Sequence, residues 1–186
     1  MDELKDLLRR VQGGDAAAKE QLFAVAYGEL RSLARAQLRG GGRNTLLDTT
    51  VLLHESYLRF RNAGALSGTE RGHFFAYLCR VMRSVIVDFA RQRQAQRRDG
   101  DADPVSLRAL LGENVRVNDE EVIRIDDALE DLQKLDERLV RIVEMRYFAG
   151  MTENEVAAVL GVTDRTVRRD WKKARLMLRA SLQLEL

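Results

Sequence analysis

The sequence predicts an all-α fold: two helical domains joined by an acidic linker, the second containing a helix-turn-helix. Three observations over the 186 residues carry this prediction. Apolar residues recur at steps of three and four, the repeat that lines up one buried face of a helix. The chain holds one proline and few alternating apolar stretches, which argues against a β-sandwich or barrel. Helix-start and helix-stop residues, chiefly Asp, Thr and Gly, fall at the ends of the apolar runs.

Composition narrows the class further. Hydrophobic residues make up 45% of the chain, enough for packed cores, while 32% charged and 6% aromatic residues fit a helix-rich soluble protein. The lone cysteine, Cys79, excludes an internal disulfide framework and suits a reducing cytoplasm. The start, MDELKDLLRR, is amphipathic and lacks the apolar core of a signal peptide. No run approaches the ~18 apolar residues of a membrane span. A cytoplasmic protein without a membrane partner is expected.

Residues 1–39 read as two helices broken at Gly13–Gly14, with Asp15 capping the second. Leu22, Phe23, Ala26, Leu30, Leu33, Ala34 and Leu38 form its apolar set, and Gly40–Gly42 stops it. A third helix is expected over Asn44–Arg61, followed by a polar loop, Asn62–Gly72, able to adapt to a ligand. Phe74–Arg93 is the strongest helix of this half. Phe74, Leu78, Val81, Met82, Val85, Ile86 and Phe89 give it a wide buried stripe. Tyr77, Arg80, Ser84, Asp88 and Arg91 fall on a different face. An aromatic with arginines on one exposed face suits single-stranded nucleic acid, bases stacking on the ring while guanidiniums hold the backbone. The same residues also fit plain surface and helix-start packing.

A linker is expected next, over Arg97–Glu121, with a short helix possible at Val105–Leu111. Val122, Ile125, Ala128, Leu129 and Leu132 mark one further helix. Another starts at Asp136 and runs through Leu139, Ile142, Val143 and Tyr147 to Gly150. Thr152–Arg179 then reads as two helices and a tight turn. Thr152 and Glu155 form a capping box, and Gly161 supplies the left-handed stop. Thr163 starts a second helix with Val167, Trp171, Ala174 and Leu178 on its apolar side. Arg165, Arg168, Arg169, Lys172, Lys173 and Arg175 lie opposite. A small Ala, a turn Gly and a buried Val at these offsets make the pattern of a DNA-reading helix-turn-helix. An ordinary helical hairpin with a solvated basic face is the plainer alternative.

The overall charge of +2 hides a strong division. Phe74–Arg98 carries six arginines against one aspartate, and Asp164–Arg179 seven bases against two acids, each a net +5. Between them Asp99–Glu137 holds thirteen acids against four bases, a net −9. Two basic modules flanking an acidic connector are the footprint of a protein that touches a polyanion twice. Catalytic signatures are missing. His54, His73 and Cys79 cannot close a zinc site without carboxylate help, and no phosphate loop, nucleophile elbow or zinc-protease motif occurs. Neither an enzyme nor a cofactor is expected.

Two basic helical modules in this order resemble the extracytoplasmic-function (ECF) group of bacterial sigma factors, over nearly the whole chain. HESYLRF (54–60) is similar to the family's QETFLRAW stretch. That implies a helix docking on core RNA polymerase through Asp48, His54, Glu55, Tyr57, Leu58 and Arg59. FFAYLCRVMRSVIVDFARQR (74–93) is similar to the family's FRAWLYRIARNLALDLLRRR, the helix linked to −10 recognition and strand opening. Tyr77, Arg80, Arg83, Ser84, Asp88 and Arg91, with the 62–72 loop, would hold the melted strand. Bases captured outside the duplex offset an unstacking cost of roughly a few kcal/mol each. The segment MRYFAGMTENEVAAVLGVTDRTVRRDWKKARLML is similar to the module that reads the −35 element. Arg165, Thr166, Arg168, Arg169, Lys172 and Lys173 would enter its major groove or grip its phosphates. The resemblance divides the chain into a region-2-like domain (1–96), the linker (97–121) and a region-4-like domain (122–186). The linker would thread basic channels of the polymerase.

The chain departs from the family at Tyr77, commonly Trp, and at Ser84, commonly Asn. Many relatives also carry an acidic D-A-E-D-x-x-Q-E cluster that supports polymerase contact. The same frame here puts Thr50 and Val51 in place of two acids. Hydrophobic contacts are one compensation. Phosphorylation at Thr50 or Thr49 is the other, since a phosphate adds about −1.5 to −2 of charge; Thr50 holds the Glu slot. A Ser/Thr kinase would then be a partner, and an anti-sigma factor is a second possible controller. The rival functions are a stand-alone dimeric helix-turn-helix regulator, binding half-sites one helical turn apart, and an adaptor that docks on polymerase or a sigma inhibitor.

Overall fold

Asp15 accepts hydrogen bonds from the backbone N–H groups of Ala17 and Ala18 at 2.9 and 3.1 Å, and helix α2 begins there as expected. The computed structural model describes residues 2–40, 47–64, 66, 68, 70–98 and 119–183. Among them every regular element is helical. The first half comprises α1 (Asp2–Gln12), α2 (Ala16–Gly40), α3 (Thr49–Asn62) and α4 (Arg71–Arg98). The second comprises α5 (Asp119–Leu135), α6 (Glu137–Val143), α7 (Glu153–Leu160) and α8 (Asp164–Ser181). The expected linker falls mostly, and the helix at 105–111 wholly, outside the described residues.

Helix α3 starts later than its apolar pattern alone implies. The Asp48 carboxylate takes the N–H groups of Thr50 and Val51 at 2.7 and 2.9 Å, which fixes the start at Thr49. Helices α1–α4 bury one core, in which Leu22, Leu30, Leu52, Phe60, Phe74, Leu78 and Met82 are inaccessible to solvent or nearly so. Phe60 sits at its centre against Phe23, Phe74 and Tyr77, with ring centroids 6.4, 5.7 and 6.2 Å away.

In the second half Asp136 caps α6 through Arg138 and Leu139, again as expected. One further turn then changes the register. Glu144–Phe148 is π-helical, with Ala149 N–H donating to the Glu144 carbonyl at 3.0 Å. An inserted residue rotates the following side chains by about 100°. Met145 is buried and Phe148 packs on the core, while Tyr147, expected on the apolar face, is 69% exposed. Two adjoining clusters fill this half. Leu129, Leu132, Leu139, Val140, Val143 and Ala174 form one; Ile142, Met145, Val156, Ala157 and Val167 form the other.

The long helix α4 has a second buried side that the single-stripe reading missed. Cys79, Val87 and Ala90 are buried on it, Cys79 against Phe148 of the second half, and Ala76 packs against the helix-turn-helix cluster. The Cys79 thiol donates to the Phe148 carbonyl at 3.6 Å, and burial pushes its pKa up to about 12.

Candidate nucleic-acid interface

The helix-turn-helix is built as the spacing predicts. Thr152 N–H and hydroxyl both donate to the Glu155 carboxylate, at 2.7 and 2.8 Å, and Glu155 N–H returns to the Thr152 hydroxyl at 3.3 Å. These bonds hold the Glu155 carboxyl below its usual range. A lowered carboxylate stabilises the fold above its unfolded pKa and loses that effect as pH falls through the lowered value. The cap is therefore at full strength at neutral pH. Thr152→Ala is expected to cost about 1 kcal/mol, read as a lower urea midpoint with an unchanged slope. Gly161 ends α7 at φ 65°, where a side chain would be strained. Thr163 caps α8 through Thr166 N–H at 3.2 Å.

Val167 and Ala174 are inaccessible to solvent, and Trp171 is half-buried between the two clusters. That fixes which side of α8 faces outward. Arg165, Arg168, Arg169, Lys172 and Lys173 are all exposed on it, with Thr166 half-buried at its start. Among the described residues no acidic side chain pairs with Arg165 or Lys172. Arg168 spans Glu153 and Asp164, both at 3.0 Å; Arg169 reaches Asp170 at 3.0 Å; Lys173 lies 3.8 Å from Asp136. Exposed pairs of this kind are worth about 0–1 kcal/mol, so a phosphate can replace the carboxylate at little cost. Asp170, buried on the other side, anchors α8 to Arg138 of α6 at 2.9 Å. Sequence spacing did not flag that anchor, because the partner lies on another helix.

The face of α4 is more divided than its spacing implies. Tyr77 is half-buried against Phe60, and burial pushes its hydroxyl pKa up, so only part of its ring is open to a base. Arg80 is exposed. Ser84 and Asp88 accept from Arg59 of α3 at 2.8 and 2.7 Å. Arg83 turns to the other side of the helix, between Asp126 and Glu144, whose Oε1 it meets at 3.0 Å. Arg91 reaches Asp126 and Asp127, each at 3.2 Å. Burial pushes the carboxyls of Asp126 and Glu144 up, against the pull of Arg83.

The expected polymerase-contact residues lie along α3. Asp48 is exposed and serves as the helix cap; His54 is exposed, 3.9 Å from the Glu55 carboxylate. Tyr57 turns inward, its ring 5.1 Å from that of Phe23, and Leu58 and Arg59 are half-buried. Thr50 is exposed in the first turn of α3, while Thr49 is half-buried. No cluster of three His, Cys, Asp or Glu side chains fit to hold a metal occurs among the described residues. Among them no helix is long and apolar enough to cross a membrane.

A profile of the ECF sigma factor family matches residues 1–184. No curated protein matches the chain. Among solved structures, that of CnrH in complex with the cytosolic domain of CnrY is similar at 23% identity, covering 99% of each chain, with a TM-score of 0.40. With nearly its full length matched, the chain belongs to the ECF sigma factor family: a non-enzymatic, DNA-binding factor of transcription initiation that directs RNA polymerase to promoters.

Proposed function

We propose that α8 reads the −35 element while α4 holds the melted −10 strand, with α3 docked on core polymerase. The observation that carries this reading is the outward face of α8. Five cations stand on it at helical spacing, behind a capped turn, with the apolar side sealed into the core. Arg165 and Lys172, without acidic partners among the described residues, are the readiest to meet base edges or phosphates. In this reading Arg165, Thr166, Arg168, Arg169, Lys172 and Lys173 enter the −35 major groove or grip its phosphates. The polymerase performs the chemistry, and the factor acts in the cytoplasm beside it.

Footprinting tests this reading. Core polymerase with the wild-type chain is expected to protect two separated segments upstream of a start site. Arg165→Ala is expected to weaken the upstream segment by roughly 1–3 kcal/mol, or about 5–150-fold, and to relax its sequence preference. Protection by the free chain at two half-sites one turn apart, without polymerase, would instead mark a dimeric regulator. Full activity after loss of Arg165 and Arg169 would mark an adaptor.

Control at Thr50 belongs to the same proposal. The hydroxyl is exposed in the first turn of α3, where the helix dipole favours added negative charge. A phosphate there adds the charge that the Thr50–Val51 frame lacks for polymerase contact. Thr50→Glu is expected to bind core polymerase more tightly than Thr50→Ala, measured by fluorescence anisotropy with labelled protein. Equal affinities, with unphosphorylated wild type binding as well as the phosphorylated form, would leave the site without a regulatory role. An anti-sigma factor remains the alternative means of control.

A further inference from the structure

The α4 face assigned to the melted strand is short of positive charge. Of its six residues, Arg83 turns to the other side of the helix, and Arg91 reaches Asp126 and Asp127. Tyr77, Arg80, Ser84 and Asp88 remain, one cation against one carboxylate. A nucleic-acid strand carries a negative charge at every nucleotide, and proteins that hold it line its path with cations. An exposed and unopposed Asp88 would repel it.

Arg59 of α3 makes up the deficit. Its Nη2 donates to Asp88 Oδ2 at 2.7 Å and its Nη1 to the Ser84 hydroxyl at 2.8 Å. These acceptors stand one turn apart on α4, so the guanidinium lies along that face. Arg59 and His54, five positions apart on a helix, point about 140° from each other. Glu55, the nearest acid in sequence, lies 3.9 Å from His54 instead.

Proton accounting gives the guanidinium spare capacity. The Ser84 hydroxyl spends its single proton on the Val81 carbonyl at 2.9 Å, so toward Arg59 it only accepts. Ser84 therefore has no proton left to offer a ligand. A guanidinium carries five N–H groups, of which Ser84 and Asp88 take one each. The Arg59 side chain is 38% exposed, which leaves the others open to a ligand on the solvent side.

We propose that Arg59 contacts the melted −10 strand rather than the polymerase, held ready by Ser84 and Asp88 to grip a backbone phosphate. The inference rests on the −10 reading of α4 given above and adds a residue from the neighbouring helix to that site. Asp88 is then a positioning residue: it orients the guanidinium while its own charge is offset. With the rotamer already fixed in the free chain, little side-chain entropy is lost on binding. The deficit is one of charge, and bases are neutral, so the ligand is a phosphate. The His54 side of α3 stays free for the polymerase.

Salt dependence separates the two roles. Holoenzyme is assembled from core polymerase and wild type, Arg59→Ala, Arg59→Lys or Arg61→Ala. A dye-labelled single strand carrying the −10 element of a selected promoter is titrated by anisotropy between about 50 and 200 mM salt. Affinity for core polymerase is titrated separately. Arg59→Ala is expected to bind the strand about three- to tenfold more weakly at the lower salt. It is also expected to lose about 0.7 from the slope of log affinity against log salt, the share of one phosphate on a single strand. Arg59→Lys keeps the charge and is expected to restore the slope. Arg61→Ala removes an equal charge at an exposed position two residues along α3 and is expected to leave the slope as it is. All four chains are expected to bind core polymerase equally.

An unchanged slope in Arg59→Ala would overturn the inference. So would an equal fall in slope for Arg61→Ala, the mark of a general charge effect. Weaker core binding by Arg59→Ala, with the strand slope intact, would return Arg59 to the polymerase contact. Wild-type holoenzyme that holds the strand no more tightly than core polymerase alone would reject the −10 reading itself, and the inference with it.

Discussion

Replacing Arg83 by alanine is expected to drive the two halves of the chain apart. The guanidinium lies between the carboxylates of Asp126 and Glu144, in a site where all three side chains are largely buried. Breaking a buried pair by removing one partner costs about 3–5 kcal/mol, because the charge left behind has neither water nor a counter-ion. Here Asp126 keeps Arg91 at 3.2 Å, while Glu144 is left buried without its ion-pair partner. The chain can relieve that cost by exposing Glu144, which means opening the seam between the two halves. Scattering is expected to show a larger radius of gyration, and calorimetry two separate unfolding transitions. Arg83→Ala combined with Glu144→Gln is expected to recover part of the packing, since the orphaned charge is gone. The pH dependence has a defined sign. Burial raises the carboxyl pKa values of Asp126 and Glu144 in the closed state, so closing binds protons. The Arg83→Ala variant is therefore expected to close again as pH falls from 7 toward about 4. Compaction unchanged across that range would show that these carboxylates do not set the equilibrium.

Phe60→Ala is expected to have the largest effect on the first half alone, about 3–5 kcal/mol. That is a large share of the roughly 5–15 kcal/mol that holds a typical domain together. Phe60 is inaccessible to solvent, contacts three aromatic rings and stands under the Lys19 ammonium at 5.8 Å from its centroid. Alanine leaves a cavity among Phe23, Phe74 and Tyr77 that their rings cannot all move to fill. Tyr77 would lose its backing, so strand binding is expected to fall together with stability. Phe60→Leu keeps most of the volume and is expected to cost less than half as much. Denaturant unfolding of both variants, followed by circular dichroism, checks the order.

Local chemistry was legible in the sequence wherever its partner lay within one helical turn. Asp15, Asp136, the Thr152–Glu155 box, Gly161 and Thr163 all act where the residue types predict. Helix α3 starts at Thr49, later than apolar spacing predicts, because the capping aspartate at position 48 sets the boundary. Tyr147 departs from its expected apolar face for a different reason. A π-helical turn breaks the period on which the reading relied, and nothing in its five residues announces the break.

The candidate site was legible on α8 and only partly so on α4. On α8 a single buried face fixes the exposed cations, so spacing alone suffices. On α4 a second buried side exists, and Cys79, Val87 and Ala90 mark it at helical spacing. That stripe was readable in principle; what covers it was not. The pairs of Arg83 with Asp126 and Glu144 join residues 43 and 61 positions apart, and no local pattern encodes such a pairing. The charge division did hint at it, since the acidic stretch has its closest cations in the chain's own helix. Arg59 in turn ties the expected polymerase-contact helix to Ser84 and Asp88.

Run-off transcription tests the central claim most directly. Core RNA polymerase is incubated with the purified chain and a template obtained by selection from a randomised promoter library. The predicted result is a transcript of defined length that requires the added chain and is lost when Arg165, Arg168 and Lys172 are replaced together by alanine. A transcript that forms without the chain, or one that survives that triple replacement, would contradict the account.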